Sequence, residues 1–347
     1  MTSFAAPFEV CQGPLRQFCE LAFDGHAHYR TLELQYLDIA PERRGYVVLM
    51  GRHDGKLNVM SEPALSLDKA WCRSDPAITH YRLGRVETVD LEDVVLRTGV
   101  DGVEARVAFD DPDGRRIEMA ITSARKGPAR TRRLFIPATP KPEVRMLWFL
   151  YAFAFGPLRP SDRIDMRIDG IALTPRRWPW PLGLRRHVQG RYANDIAIFS
   201  LNPPKDAPRA FIDGDDAFSL IEDEGTPPRI SAWEASVNGH DVRVGFDPPI
   251  SSVPLDGQAA PGEGTLAVSV DDITITKGRY SLSIRDGRTD VLFADIDQYW
   301  NPPNRDLSVW LLELYRRVKL GRRRWACEAT LEPSNGSLQA DNNWVVR

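Results

Sequence analysis

Apolar and polar residues alternate with a period of two along most of this chain, and the alternating runs are punctuated by Asp-Gly or Asn-Gly. These dipeptides fall at Asp24, Asp54, Asp101, Asp113, Asp169, Asp213, Asp256 and Asp286, and at Asn238 and Asn335. Side chains that switch faces at every residue belong to strands, and both dipeptides tolerate the positive φ of tight hairpin turns. The pattern predicts hairpins. YVVLMGRHDGKLNVM turns at Asp54-Gly55. VEARVAFDDPDGRRIEMAIT places Val103, Ala105, Val107 and Phe109 on one face, turns at Asp113-Gly114, and returns with Ile117, Met119 and Ile121. In RYSLSIRDGRTDVLFADIDQYW, a two-residue turn at Asp286-Gly287 pairs Arg285 with Arg288, Leu282 with Val291 and Tyr280 with Phe293.

Helical spacing is rarer. NRDLSVWLLELYRRVKLG sets Leu307, Trp310, Leu311, Leu314 and Val318 on one stripe, with Asn304 as N-cap and Gly321 as stop. It predicts an amphipathic helix over 305–320 with Arg316, Arg317 and Lys319 in its last turns, where the helix dipole favours cations. GPLRQFCELAF reads as a short helix near the start.

The alternation breaks between Gly127 and Pro160, first into proline-rich GPARTRRLFIPATPKPEV and then into aromatic RMLWFLYAFAFGPLRP. Hairpins on either side are alike in kind. The expected organisation is a first β-rich domain over 1–140, a connection over 141–160, and a second β-rich domain over 161–347 that carries the helix. The fold class is mainly β, antiparallel and hairpin-rich: two lipocalin-like (calycin-type) barrel or sandwich halves with a C-terminal amphipathic helix.

Composition narrows the function classes. The 347 residues suffice for a large core, and 45 basic against 48 acidic residues, for a net charge of −3, argue against a nucleic-acid partner. Cys11, Cys19, Cys72 and Cys327 are scattered and read as free thiols of a reducing compartment. Glu9 and Arg16 interrupt the apolar stretch a signal peptide needs, and no window approaches the ~18 apolar residues of a membrane span. A cytoplasmic location is expected.

Familiar catalytic signatures are missing or out of place. GEGTLA at 262–267 follows a proline-rich loop and precedes a strand-like run, the wrong setting for a dinucleotide turn. S-x-x-K occurs at Ser66 and Ser123 without the partner motifs of a serine enzyme. DDPDG at 110–114 lacks the downstream Glu of a calcium loop and reads as a hairpin turn.

Three stretches remain. In FDGHAHYRTLELQY, strand alternation puts His26, His28, Arg30, Leu32, Leu34 and Tyr36 on one face, an apolar stripe that turns polar at a rim. The spacing H-x-H-x-x-x-x-E from His26 to Glu33 resembles the first motif of the cupin barrels, which implies a metal. Glu20 and Ala40 stand where that motif has glycines, and Glu33 falls on the opposite face. PLGLRRHVQGRYAN, with Pro181, Gly183, His187 and Asn194, is the nearest match to the second motif, one residue off at the histidine and far along the chain. No metal and no cofactor are expected. In DVLFADIDQYW, continued alternation carries Asp295, Asp297 and Tyr299 onto the apolar face of Tyr280 and Phe293, where desolvation would keep a carboxyl protonated as a general acid. Arginines and tryptophans interleave over 175–187 and 315–325, with a further basic run over 125–133, a composition suited to an anionic membrane surface.

The leading expectation is a cytoplasmic lipocalin-like protein that binds a hydrophobic small molecule, such as an isoprenoid, polyene or acyl lipid, in a β cup. His26, His28, Arg30, Tyr36, Tyr280 and Phe293 are its expected ligand-binding residues. The rival expectation is a cofactor-independent hydratase, isomerase or cyclase using Asp295, Asp297 and Tyr299. A third is a peripheral membrane or scaffold protein.

Overall fold

The computed structural model describes residues 4–74, 78, 81–99, 102–124, 147–177, 188–202, 204, 212, 217–221, 226–255, 259–297, 324–334 and 337–346. It is mainly β, 72% strand and 3% helix. The helix expected over 305–320 lies outside the described residues. Among those described, no helix is long and apolar enough to cross a membrane, and no sheet closes on itself.

The glycine of every Asp-Gly or Asn-Gly that falls within the described residues has positive φ: Gly25, Gly55, Gly102, Gly114, Gly170, Gly239 and Gly287. Each lies between consecutive antiparallel strands, except Gly102, which opens its strand opposite Gly99. At three of them the preceding Asp169, Asn238 or Asp286 is also at positive φ, as a two-residue hairpin turn requires.

The chain divides into two compact units. The N-terminal unit comprises Gly13–Arg133 and Ala152–Ala197; the C-terminal unit comprises Met1–Gln12, Leu134–Tyr151 and Ile198–Arg347. Residues 161–197 thus belong with Gly13–Arg133, through the pairing of Arg163–Ile168 with Arg116–Ala124.

In the N-terminal unit one sheet runs Leu15–Asp24, Tyr29–Ala40, Arg43–Arg52, Lys56–Ser61 and Arg82–Thr88, the last pair being parallel. Residues 190–193 pair on its other edge. A second sheet joins Glu92–Gly99, Gly102–Asp110, Arg116–Ala124, Arg163–Ile168 and Ile171–Ala172. Cys19, Leu21, Leu32, Leu34, Val48 and Met50 of the first share a core with Val103, Ala105, Val107, Phe109, Ile117, Met119 and Ile121 of the second. The faces predicted for the 103–121 hairpin are the buried ones. Each buried Val, Ile, Met or Phe among them contributes roughly 1.5–3 kcal/mol. GPLRQFCELAF is not helical: its residues from Leu15 lie in the Leu15–Asp24 strand. Both faces of that strand are covered, so Phe18 and Ala22 are buried on one side and Cys19, Leu21 and Phe23 on the other. A strand buried on both faces loses its alternation and looks helical in sequence.

The C-terminal unit is an eight-stranded meander from Phe218–Ile221 to Ser337–Val346. Its sequential strands present one apolar face that includes Val244, Leu266, Tyr280, Leu282, Val291 and Phe293, all buried. Phe4–Ala5 pairs with Val253–Pro254, and Glu9–Gln12 pairs with residues 199–202.

Candidate functional site

The 23–36 stretch departs from even alternation. Leu32 and Leu34 are buried in the core and Tyr36 packs against it, as expected. His26 and His28, however, lie in the turn before the strand, which begins at Tyr29. Tyr29 pairs with Arg52 and Thr31 with Gly51, so Arg30 is an extra residue, a β-bulge. The bulge shifts the alternation by one: Tyr29 points into the core and Arg30 is exposed.

The turn is held by its own histidine. His26 Nδ1 accepts the backbone N–H of His28 at 3.2 Å and of Tyr29 at 3.0 Å. The His26 ring stacks on Tyr29 at 5.4 Å and 8°. Partial burial, then the neighbouring His28 and Arg115, hold its pKa below the ordinary histidine value. The Tyr29 hydroxyl donates to Asp111 Oδ2 at 2.9 Å and receives a longer bond from Asn58 at 3.4 Å. Burial, then the bond to Asp111, pushes its pKa up to about 12. The Asp111 side chain is 0% exposed and pairs with Arg115 at 3.3 Å. Its Oδ1 accepts the backbone N–H of Asp113 at 2.9 Å and of Arg115 at 3.0 Å. Arg85 reaches Asp113 at 2.7 Å. These bonds occupy both carboxylate oxygens of Asp111 and tie the turn after Asp24 to the turn after Asp110. The expected rim is a structural joint. Among the described residues, no group of three or more His, Cys, Asp or Glu side chains is disposed to hold a metal ion.

At the far end of the same apolar stripe the chemistry differs. Gln17 pairs with Tyr36, and Tyr36 with Tyr46. The two tyrosine rings lie 5.2 Å apart at 57°, half-buried, and rest on the core together with Val89, Leu91 and Val94. Burial, then the neighbouring Tyr36 and Glu62, raises the pKa of Tyr46 above the ordinary tyrosine value. Thr98 bridges to this row, its hydroxyl 3.5 Å from Gln17 Oε1 and 3.4 Å from the Ala193 carbonyl. Asn194 Nδ2 donates to the Thr98 carbonyl at 2.8 Å. Of this group the sequence singled out Tyr36 for ligand contact and Asn194 only as part of a motif. Tyr46, Gln17 and Thr98 carried no local signal, because five separate strands bring the group together.

In the C-terminal unit the 273–297 hairpin has the register derived from its turn: Arg285 opposite Arg288, Leu282 opposite Val291, Tyr280 opposite Phe293. Tyr280 and Phe293 are core residues. Tyr280 stands edge-on to Phe246 at 5.6 Å, and its hydroxyl donates to the Pro248 carbonyl. Beyond Phe293 the predicted face fails. Phe293 pairs with Cys327 but Ile296 with Trp325, so one extra residue is accommodated. Asp295 adopts φ +53°. Ile296 is buried, whereas the Asp295 side chain is 26% exposed and ion-paired with Arg279. A guanidinium, not an apolar wall, faces that carboxylate. Asp297 ends the strand opposite Arg324, and Tyr299 lies outside the described residues, as do most of the arginine–tryptophan clusters.

Comparison with family models, curated proteins and solved structures finds no match to this chain.

Proposed function

We propose that this protein binds a hydrophobic small molecule, an isoprenoid, polyene or acyl lipid, and that the N-terminal unit holds it at the Tyr36–Tyr46 end of its core. The observation that carries the reading is the half-buried pair of tyrosine rings resting on an apolar core, with the Gln17 amide on the strand beside them. Ligand sites combine mostly apolar and aromatic walls with a few polar groups that set orientation. Tyrosine suits such a place because its ring is apolar and its tip polar. The lipocalin-like cup is part of this proposal, as is the cytoplasmic location, which the four free cysteines favour. The alternative of a hydratase, isomerase or cyclase needs an acid on an apolar wall, and Asp295 is paired with Arg279 instead.

Native mass spectrometry before and after solvent extraction tests the reading, together with fluorescence titration by retinol, a polyene probe. Binding at one site per chain is expected, weakened at least tenfold by Tyr36→Ser with Tyr46→Ser in a variant of unchanged circular dichroism. A chain that releases no small molecule and takes up no probe does not have this function.

A further inference from the structure

Along the core face of the first sheet, polarity changes in order from one cross-strand row to the next. Cys19, Leu34, Val48 and Met60 stand opposite one another and belong to the core. The next row holds Tyr36 and Tyr46, and the one beyond it Asp38 and Arg44. Alternate residues of a strand share a face, so the three rows lie on one side of the sheet. Leu15 pairs with Leu37 and Gln17 with Tyr36, so Arg16 is the extra residue of a bulge and stands with Gln17 opposite Tyr36. The face therefore passes from apolar to phenolic to ionic within about 14 Å of strand.

The ionic end carries an uncompensated cation. The Arg16 side chain is 14% exposed. Its Nη1 donates to the Gly13 carbonyl at 2.7 Å and lies 3.5 Å from the Leu15 carbonyl, both neutral acceptors. Its Nε stands 3.8 Å from Asp38 Oδ2, while Arg44 holds the other oxygen of that carboxylate at 2.7 Å. Among the described residues nothing accepts from Arg16 Nη2, and that nitrogen is not closed off from solvent. Asp38 is the one acid acting on Arg16, against a second guanidinium. Glu62 does not restore the balance. Its carboxylate covers Gly45, on the strand face opposite Arg44 and Tyr46, and accepts the Tyr46 backbone N–H at 2.7 Å. Arg97, whose field reaches Tyr46, is paired with Glu104 at 3.2 Å. Burial, the largest influence on Arg16, holds its pKa below the ordinary arginine value despite Asp38. A largely buried cation is costly unless an anion pairs with it.

We infer that the ligand of this site carries a carboxylate, an apolar chain whose ionised head pairs with Arg16 at Nη2 while its tail crosses Tyr36 and Tyr46 toward Leu34 and Val48. The inference rests on the binding proposed above and names the head group of its ligand. The neutral donors nearby, the Gln17 amide and the two phenols, serve an alcohol, an ester or an acid alike. Formal charge discriminates among them, because a neutral head leaves Arg16 uncompensated and a guanidinium–carboxylate bond is about twice as strong as a neutral one.

Retinoate, methyl retinoate and retinol present one polyene skeleton with an anionic, an ester and a hydroxyl head, and quenching of tryptophan fluorescence in the full chain ranks them. Retinoate is expected to bind at least about tenfold more tightly than either, the value of one charge-assisted hydrogen bond. Arg16→Gln is expected to erase that preference and leave retinol affinity unchanged. Asp38→Asn removes the competing acid and is expected to tighten retinoate about threefold without affecting retinol. Equal affinities in the wild-type protein, or tightest binding of retinol, overturn the carboxylate assignment and leave hydrophobic binding standing. A retinoate preference that survives Arg16→Gln overturns the site. Failure of all three probes to bind overturns both the site and the proposed function. Should Arg16→Gln misfold, Asp38→Asn decides, and unchanged or weaker retinoate binding in that variant overturns the assignment.

Discussion

His26 was singled out for its imidazole, and the structure uses that imidazole as an acceptor for two backbone amides. A doubly protonated ring cannot accept at Nδ1, so the turn needs the neutral form. Arg115 and His28 act in the same direction, and Asp169 and Asp111 oppose them. With the folded pKa below an unfolded value near 6.5, the unfolded chain binds more protons in that interval, so stability rises with pH there. The contribution of His26 is complete above about pH 6.5 and is lost as pH falls through the folded value. Urea midpoints measured between pH 7.5 and 5 should fall more steeply for the wild type than for His26→Asn, whose side-chain oxygen caps the same turn without titrating. Parallel curves would show that His26 plays no such part.

The same event at the level of the strand explains both sites where the expected faces are wrong. Period-two alternation holds along Leu32–Tyr36 and along Leu282–Phe293, and each run meets a bulge, at Arg30 and before Ile296. One inserted residue exchanges the faces of everything beyond it. Asp295 accommodates its bulge at positive φ, a conformation that costs most L-residues about 1–2 kcal/mol and a β-branched residue more. Asp295→Gly should therefore leave the stability of the C-terminal unit within about 1 kcal/mol of wild type, whereas Asp295→Val should lower it by about 2 kcal/mol. Equal urea midpoints for the two variants would mean that no bulge forms there. The turn at Asp271-Asp272 teaches a related lesson. Both residues are at positive φ and close a two-residue hairpin between Val270 and Ile273 without the glycine that marks such turns.

For the whole molecule, the two units draw on segments that are distant in sequence. Residues 1–12 supply strands to the C-terminal unit, and residues 152–197 complete the N-terminal one. A fragment cut at 161, where the sequence suggests a second domain, separates Arg163–Ile168 from Arg116–Ala124 and removes the partners of Val253–Pro254 and of residues 199–202. Hydrogen exchange should find the amides of 163–168 protected in the full chain and unprotected in the 161–347 fragment. Equal protection would overturn the pairing.

What could be read from the sequence alone was local: the hairpins, the turn residues that close them, the core faces of 103–121, and the register of 280–293. These follow from side-chain alternation and from which residues tolerate positive φ, both properties of a few neighbouring positions. Tertiary structure decided where bulges shift the faces, which distant segments complete each unit, and which polar groups meet around Tyr36. Gln17, Tyr46, Thr98 and Asn194 come together only through strand pairing across 177 residue positions, and nothing in any one strand encodes its partner's side chains. Burial of the shared apolar core selects that pairing, and the core exists only when all its strands are in place.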